Sequence, residues 1–255
     1  MKIFFLTFLI AFSLTSCLPT HYIYNPLIIA DVKEKGDYNV SGLFTTSIYS
    51  KNLHLNSNYA VANNLILQSS ITYLVDHFDQ YNYDARGYYA DFAIGYTNNT
   101  SDKLFYIENF IGYGRGNLNN IGINDPARYA NFRYNKYFSQ LNFNFKINNS
   151  TTFLNNLTFH IPLRVAYIHF DKINYTSLYG WGDNSIEYLK ENPTKLIISA
   201  GKSIDYRLDN FKFSLFISYH TPINIDELLL LNNVYMGAGI TYQNSLNRKN
   251  RHLKE

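Results

Sequence analysis

A serine and a histidine two positions apart are the residues in this sequence that come closest to a catalytic pair. Ser218 and His220 would face the same way on a strand, and imidazole is the base that activates a hydroxyl for nucleophilic attack. The sequence offers no Gly-x-Ser-x-Gly turn and no identifiable third residue to orient the histidine. His160, two residues before Pro162, is expected to be a hydrogen-bonded interior residue. A membrane-embedded hydrolase is therefore kept only as an alternative function.

Metal binding and phosphate binding are two further chemistries that the sequence does not support. The histidines at positions 21, 54, 77 and 169 lack metal-ligand spacing such as His-Glu-x-x-His. Gly112–Gly116 has the composition of a phosphate-binding loop, but such a loop must open a helix, and no helix pattern follows. Its glycines alternate instead onto one face of a strand, where they leave room for bulky neighbours. We expect no cofactor and no metal.

The only cysteine, Cys17, lies where a bacterial lipoprotein carries its lipid. Lys2 provides a positive start, and Ile3–Leu14 form an apolar core that is too short for a transmembrane helix. Leu14–Cys17 then resembles a lipobox, in which the signal peptidase cuts before the cysteine. An ordinary secretory signal with a cysteine near the cut is the alternative. We predict a signal peptide at 1–16, lipid on Cys17 and a lipidated N-terminal linker at 17–37.

The composition of the chain is typical of strands that face lipid on one side. The 255 residues are 46% hydrophobic but only 16% charged, against about 25% charged in ordinary soluble domains. Aromatic residues make up 17%, with 24 Tyr and 19 Phe beside one Trp, yet the mean hydropathy is −0.22. A net charge of +3 is too small to indicate a nucleic-acid partner. The single cysteine excludes a disulfide framework.

Apolar and polar residues alternate with period two through most of residues 38–243, which predicts strands. Ten segments have this pattern: about 38–49, 53–62, 65–76, 88–97, 104–117, 129–146, 156–170, 194–206, 211–220 and 233–243. Short turns alternate with longer links, except that the first link, 50–52, is short where a loop is expected. The pattern predicts an all-β, antiparallel, up-and-down transmembrane β-barrel at 38–243, with ten strands favoured over eight and both termini periplasmic. A soluble β-sandwich is the alternative, but its outward faces should carry more charge.

The last strand carries a motif that resembles an insertion signal. Gly237–Tyr242 looks like the C-terminal β-signal of outer-membrane barrels, with a glycine, apolar residues and a closing aromatic residue. That signal usually ends the chain, whereas a basic tail at 244–255 follows here. We expect the tail to be a solvated periplasmic end.

Short motifs along the chain carry a family resemblance. They are Cys17, Tyr24-Asn25-Pro26, Asn39–Gly42, Tyr59–Leu65, Gly112–Gly116 and Leu163-Arg164-Val165. On these motifs the mature chain resembles a group of small outer-membrane β-barrel lipoproteins from Bacteroidota. The resemblance implies a fold and an outer-membrane location, and it implies almost no biochemical activity.

Four charged residues are expected on the inward faces of the predicted barrel, where charge is scarce. They are Asp91, Glu108, Lys136 and Arg164. Counting from the turn at 147–155 sets Arg164 level with Phe138. We predict that Glu108 pairs with Arg164 or Lys136 and that the pair braces a closed lumen.

The long loop expected at 171–193 holds the last candidate site. Tyr175, Tyr179, Trp181 and Tyr188 could contact a glycan or a protein partner, or could fold over the barrel mouth. The predicted function is a lipid-anchored outer-membrane barrel with a structural, accessory or partner-binding role, with a hydrolase or a narrow ligand pore as alternatives. The expected partners are outer-membrane lipid and a membrane protein complex, not nucleic acid.

Overall fold

Ten strands close into one antiparallel barrel. The computed structural model describes residues 23, 25–47, 50–78, 83–98, 104–123, 128–147, 152–176, 181–223 and 234–244. The strands are β1 (Tyr38–Thr46), β2 (Lys51–Ala62), β3 (Leu65–Phe78), β4 (Tyr83–Thr97), β5 (Phe105–Gly122), β6 (Tyr129–Lys146), β7 (Leu157–Tyr175), β8 (Thr194–Leu208), β9 (Phe211–Pro222) and β10 (Val234–Asn244). Each strand pairs with its neighbours in sequence, and β1 closes the ring against β10. The predicted ten-stranded, up-and-down barrel is confirmed.

The two rims of the barrel differ in the length of their connections. Turns at 63–64, 98–104, 147–156 and 209–210 form one rim, here called the short-turn rim, together with the start of β1 and the end of β10. The opposite rim, called the long-loop rim, holds the links after β3, β5, β7 and β9 and the short link between β1 and β2. In outer-membrane barrels the short turns face the periplasm and the long loops face outward.

Within the described residues, two short helices lie in the connections between strands. Helix α1 (Thr152–Asn155) lies in the turn before β7, and helix α2 (Trp181–Glu191) lies between β7 and β8. The expectation of a loop throughout 171–193 is therefore wrong, since residues 171–175 extend β7 and α2 occupies the middle. Within the described residues, neither helix has the length and apolarity needed to span a bilayer.

On most strands the outward-facing apolar residues span roughly nine positions of the strand, which is the length that a tilted transmembrane strand needs. In the middle of these stripes, Ile111 is 66% exposed and Leu215 is 67% exposed. At the long-loop end the stripes finish in six exposed tyrosines, here called the tyrosine girdle: Tyr73, Tyr88, Tyr113, Tyr137, Tyr167 and Tyr219. At the short-turn end they finish in Tyr96, Phe105, Phe145, Phe159, Phe211 and Tyr242. Two aromatic rows around an apolar band are the pattern of a membrane-spanning barrel.

Beyond the tyrosine girdle the outer face becomes charged. Asp171 of β7 forms ion pairs with Arg115 of β5 at 3.2 Å and with Arg133 of β6 at 3.1 Å. The upper parts of β5–β7 therefore form a polar wall that projects past the lipid band. The rim is lower on the other side, where β1 ends at Thr46 and β2 begins at Lys51.

The interior is filled by side chains and by the chain that precedes β1. Residues 23 and 25–37, here called the inner segment, run inside the barrel. Near the long-loop rim an apolar cluster joins the inner segment, the barrel wall and α2. Its larger members are Ile23, Tyr89, Leu118, Phe132, Tyr134, Ile168, Phe170, Ile186 and Leu189. Helix α2 thus covers the mouth with its buried face.

Inward-facing glycines make room for the large rings of this cluster. A Cβ atom on Gly114 would lie 2.5 Å from Cζ of Tyr89, and one on Gly116 would lie 2.7 Å from Cε1 of Tyr134. These glycines face inward beside bulky neighbours, as the alternation within Gly112–Gly116 predicts.

Candidate functional site in the barrel lumen

The inner segment crosses the barrel from one rim to the other. At the short-turn rim, Gly36 N–H donates to the carbonyl of Ala60 at 2.8 Å, and Asn64 N–H donates to the carbonyl of Lys33 at 3.4 Å. At the other end, Ile23 N–H donates to the hydroxyl of Tyr134 at 2.9 Å. The side chains lining the lumen bind this segment at three levels between these ends.

The first level holds Asn25. Its side-chain N–H₂ group donates to Ser70 Oγ at 3.2 Å and to the carboxylate of Asp91. Its side-chain oxygen, Oδ1, accepts from Thr72 Oγ1 at 3.2 Å. Ser70 in turn donates to Asp91 at 2.6 Å. Asn25 is fully buried, so these bonds use the polar groups of its side chain where water is largely excluded.

Arg164 binds the backbone at the same level. Its guanidinium donates to the carbonyls of Asn25 and Pro26, each at 3.2 Å, and to Gln140 Oε1, with Nε at 2.9 Å. It also lies 4.7 Å from the ring centre of Phe138. The planar, forked donor set of arginine suits this task, because one side chain bridges two successive carbonyls and a neighbouring amide.

The second level is built by two amides and a carboxylate. Gln140 and Asn142 donate to the carbonyl of Ile28 at 2.6 Å and 3.0 Å. Glu108 accepts from the backbone N–H groups of Ala30 at 3.2 Å and Asp31 at 2.8 Å. Asn142 also donates to Glu108 at 2.8 Å, so the carboxylate has three donors. A buried carboxylate is stabilised by such donors in place of water.

The third level fixes Asp31 close to the short-turn rim. Tyr106 donates its hydroxyl to Asp31 Oδ1 at 3.1 Å, and Arg207 forms an ion pair with the other carboxylate oxygen. Gln243 donates to the carbonyl of Asp31 at 2.7 Å. Asp31 has a φ of 47°, in the left-handed region that aspartate tolerates better than most residues. The backbone is therefore bound on both sides of a sharp local change in direction.

The predicted pairing of Glu108 with Arg164 or Lys136 is not found. Glu108 and Arg164 both face the lumen but bind different parts of the inner segment, and within the described residues no ion pair joins Glu108 to either base. Arg164 lies opposite Gln140 and Glu108 opposite Asn142, whereas Arg164 was expected opposite Phe138. The shift arises because β7 starts only after α1, so Lys146 pairs with Thr158.

The other two charged residues expected on inward faces, Asp91 and Lys136, lie near the first level. Asp91 accepts from the side chains of Asn25 and Ser70. The Lys136 ammonium lies 5.0 Å from the ring centre of Tyr89. The sequence placed all four charged residues on inward faces but did not place residues 23–37 among them.

The Ser–His arrangement differs from the one proposed from spacing. His220 Nδ1 lies 2.6 Å from Oγ of Ser199, which is on the neighbouring strand, rather than pairing with Ser218. The cavity beside this pair has a volume of about 10 Å³, the size of one water. A larger cavity of about 40 Å³ lies between the inner segment and β8–β10. Neither volume accommodates an organic substrate.

His160 belongs to a separate buried ion cluster. Its Nε2 lies 3.1 Å from Asp205, which also binds Lys212 at 2.8 Å, and its Nδ1 lies 2.6 Å from Asn144. This agrees with a hydrogen-bonded interior histidine. In the part of the chain that the structure describes, no three His, Cys, Asp or Glu side chains are grouped to hold a metal ion.

Two of the four loop residues can be placed with their side chains. Tyr175 donates to Glu187 at 3.2 Å and lies under Lys190, whose ammonium is 4.4 Å from the ring centre. Tyr188 has Lys195 at 4.4 Å from its ring centre. Tyr175 therefore packs against α2, and Tyr188 lies within α2, at the barrel mouth. Tyr179, the side chain of Trp181, Cys17 with the signal peptide, and residues 245–255 of the tail lie outside the described residues.

A closed antiparallel ring with an apolar band and two aromatic rows outside, and a filled polar lumen inside, defines a β-barrel of the outer-membrane type. No protein-family profile matches the chain, and no curated protein matches its sequence.

Solved structures with a similar fold are β-barrels of distant sequence. The translocator domain of the autotransporter NalP from Neisseria meningitidis is 13% identical, with 84% of this chain and 90% of that chain covered and a TM-score of 0.45. The β domain of the Bordetella autotransporter BrkA is 11% identical, covering 81% and 98%, with a TM-score of 0.40. The KdgM porin, solved with disordered oligogalacturonate, is 13% identical, covering 81% and 99%, with a TM-score of 0.37. Identities this low concern the fold alone.

Proposed function

We propose that this chain is a lipid-anchored protein of the bacterial outer membrane whose barrel is a closed, partner-binding platform rather than a channel or an enzyme. The observation that carries the proposal is the inner segment, which runs through the lumen and is hydrogen-bonded to the barrel wall at three levels. The lipid on Cys17 is part of the proposal and is supported by the lipobox-like Leu14–Cys17.

The way in which the lumen is filled argues against conduction. The inner segment is bound through backbone carbonyls and N–H groups as well as through the side chains of Asn25 and Asp31. Side chains of this kind bind a specific chain conformation, because each backbone group left without a partner in a buried site costs about 1–3 kcal/mol. Two cavities lined by described residues beside the segment hold only about 40 Å³ and 10 Å³, and an ion passing the three hydrogen-bonded levels would have to displace the segment.

The long-loop rim is the surface best suited to a partner. Helix α2 buries Ile186 and Leu189 in the mouth, and its opposite side exposes Glu187, Lys190 and Glu191. The polar wall of β5–β7 stands beside it and places both signs of charge above the lipid band. A rigid, charged platform that projects past the bilayer offers a surface for a polar partner without any opening of the barrel.

Conductance measurements test the closed lumen. Purified protein in a planar bilayer is expected to show no discrete current steps. A variant with Arg164→Gln and Asp31→Asn, which loosens the inner segment at two levels, is expected to show intermittent steps. Regular steps from the unaltered chain would favour the narrow ligand pore instead.

Co-purification in mild detergent tests the platform. Glu187→Ala with Lys190→Ala should release a protein that stays bound to the unaltered barrel. The matched control, Asn210→Ala, changes an exposed residue on the short-turn rim and should leave the complex intact. Release by the control alone would place the partner on the other rim, and a barrel that purifies alone would contradict the partner-binding role.

A further inference from the structure

We propose that the inner segment carries the N terminus across the membrane through the protein's own barrel, so that the lipid on Cys17 enters the outer leaflet at the cell surface. The lipid itself rests on the function proposed above, whereas the direction of the inner segment does not. From the sequence alone Cys17 is expected at the periplasmic rim, since residues 17–37 precede β1 and β1 starts there.

The end of the inner segment next to β1 lies at the short-turn rim. Asn64, which binds Lys33, is the residue just before the lipid-facing stripe of β3 begins at Leu65. The backbone carbonyl of Asp37 accepts from the N–H of Ala60 at 2.9 Å in the same region. In chain order, the inner segment therefore leaves the lumen at this rim, directly before Tyr38 starts β1.

The other end has already passed the tyrosine girdle. Ile23 binds Tyr134, which lies three residues beyond girdle residue Tyr137 on the way to the long-loop rim. The Ile23 side chain packs against Gly87, where an added Cβ would be 2.8 Å from its Cδ1, and Gly87 lies one residue beyond Tyr88. Ile23 also belongs to the cluster formed with α2 at the mouth. Three separate contacts thus place Ile23 at or beyond the outer lipid boundary.

The number of residues between Cys17 and Ile23 limits how far from Ile23 the cysteine can lie. The inner segment uses residues 23–33 to cross from this level to the short-turn rim. Cys17 precedes Ile23 by only six residues, which reach at most about 20 Å when fully extended. A second passage back through the lumen would also have to displace the segment at the three levels where lumen side chains bind it. A short chain of this length can instead cross the rim outward.

The low part of the rim provides a place for that crossing. Between β1 and β2 the strands stop at Thr46 and Lys51, so among the described strands the wall is lowest there.

Cysteine labelling in intact cells tests the direction of the chain. Thr20→Cys reports the chain between the lipid and the inner segment, Glu191→Cys on α2 is the long-loop reference, and Asn210→Cys is the short-turn reference. A membrane-impermeant maleimide is added before or after the outer membrane is permeabilised, and every variant must keep its heat-modifiable gel mobility. Thr20→Cys and Glu191→Cys should be labelled equally with or without permeabilisation. Asn210→Cys should gain at least tenfold when the membrane is opened.

The parent chain separates the two proposals. Incorporation of an alkyne fatty acid and a thiol that stays unreactive after denaturation would support lipid on Cys17. If the parent incorporated no fatty acid, the lipid would be refuted, and Thr20→Cys would still report the direction of the chain in intact cells. Labelling of the N-terminal probe only after permeabilisation, as for Asn210→Cys, would overturn the inference.

Discussion

Removal of the charged anchor Arg164 is the most direct test of how the inner segment is held. Arg164 is 2% exposed, and its guanidinium donates to the carbonyls of Asn25 and Pro26 at 3.2 Å each. A hydrogen bond to a charged group contributes about 1.5–3 kcal/mol, and glutamine is too short to reach both carbonyls. Arg164→Gln should therefore lower the free energy of unfolding by about 3–5 kcal/mol.

A second substitution shows whether the inner segment behaves as one unit. Glu108→Gln leaves one of the N–H groups of Ala30 and Asp31 without an acceptor, which should cost about 1–3 kcal/mol. Glu108 and Arg164 do not touch, but both hold the same segment. If loss of one anchor frees the segment, the double variant should lose at least about 1 kcal/mol less than the sum of the single losses.

Urea unfolding in detergent micelles, followed by the fluorescence of the single tryptophan, measures these losses. Arg115→Gln is the matched control, because Arg115 is 53% exposed on the polar wall and its pair with Asp171 should contribute less than about 1 kcal/mol. Additive losses at positions 108 and 164 would show that the segment is not a cooperative unit. A loss for Arg164→Gln as small as that of the control would show that Arg164 is not an anchor.

Three further outcomes are expected. Cys17→Ser should abolish fatty-acid labelling while the barrel still inserts, because its strands bury far more apolar surface than acyl chains do; a soluble, folded periplasmic product would contradict the membrane assignment. Leu163→Arg, in the lipid band, should cost about 2–4 kcal/mol in unfolding experiments, whereas Asn174→Arg, exposed beyond the girdle, should cost almost nothing; equal costs would mean that the band is misplaced. Gly87→Leu should cost about 1–3 kcal/mol through overpacking against the inner segment, whereas Gly42→Ala, with no atom within 4 Å of its added Cβ, should leave heat-modifiable mobility unchanged.

The wall of the barrel could be predicted because lipid imposes a simple rule on it. Outward residues in the band must be apolar and inward ones need not be, so a stretch such as Phe159–Tyr167 alternates clearly. This rule applies only within the lipid band, which ends at the tyrosine girdle. Beyond it, outward residues such as Arg115 and Asp171 face water, alternation weakens, and the ends of β5 and β7 were mistaken for loops.

The contents of the lumen could not be predicted by that rule. The inner segment forms no regular element, and its partners lie on strands far apart in sequence, as with Asn25 and Arg164. One signal was available: charged residues were expected inward in a barrel of ten strands, and backbone groups are suitable partners for buried charges. Helix α2 left a weaker signal, since Ile186 and Leu189 are apolar residues at helical spacing within a polar stretch.

A chain that runs through the ring it helps to form constrains the order of assembly. The inner segment is continuous with β1, and β1 completes the ring against β10 through pairs from Tyr38–Asn244 to Thr46–Met236. If Cys17 carries a lipid, that end could not be drawn past the three levels at which lumen side chains bind the segment. The strands would then form around the segment while one pair is still apart, and we expect that pair to be β1 and β10, which are farthest apart in sequence. Once the ring has closed, release of a lipidated end would require a seam to separate first.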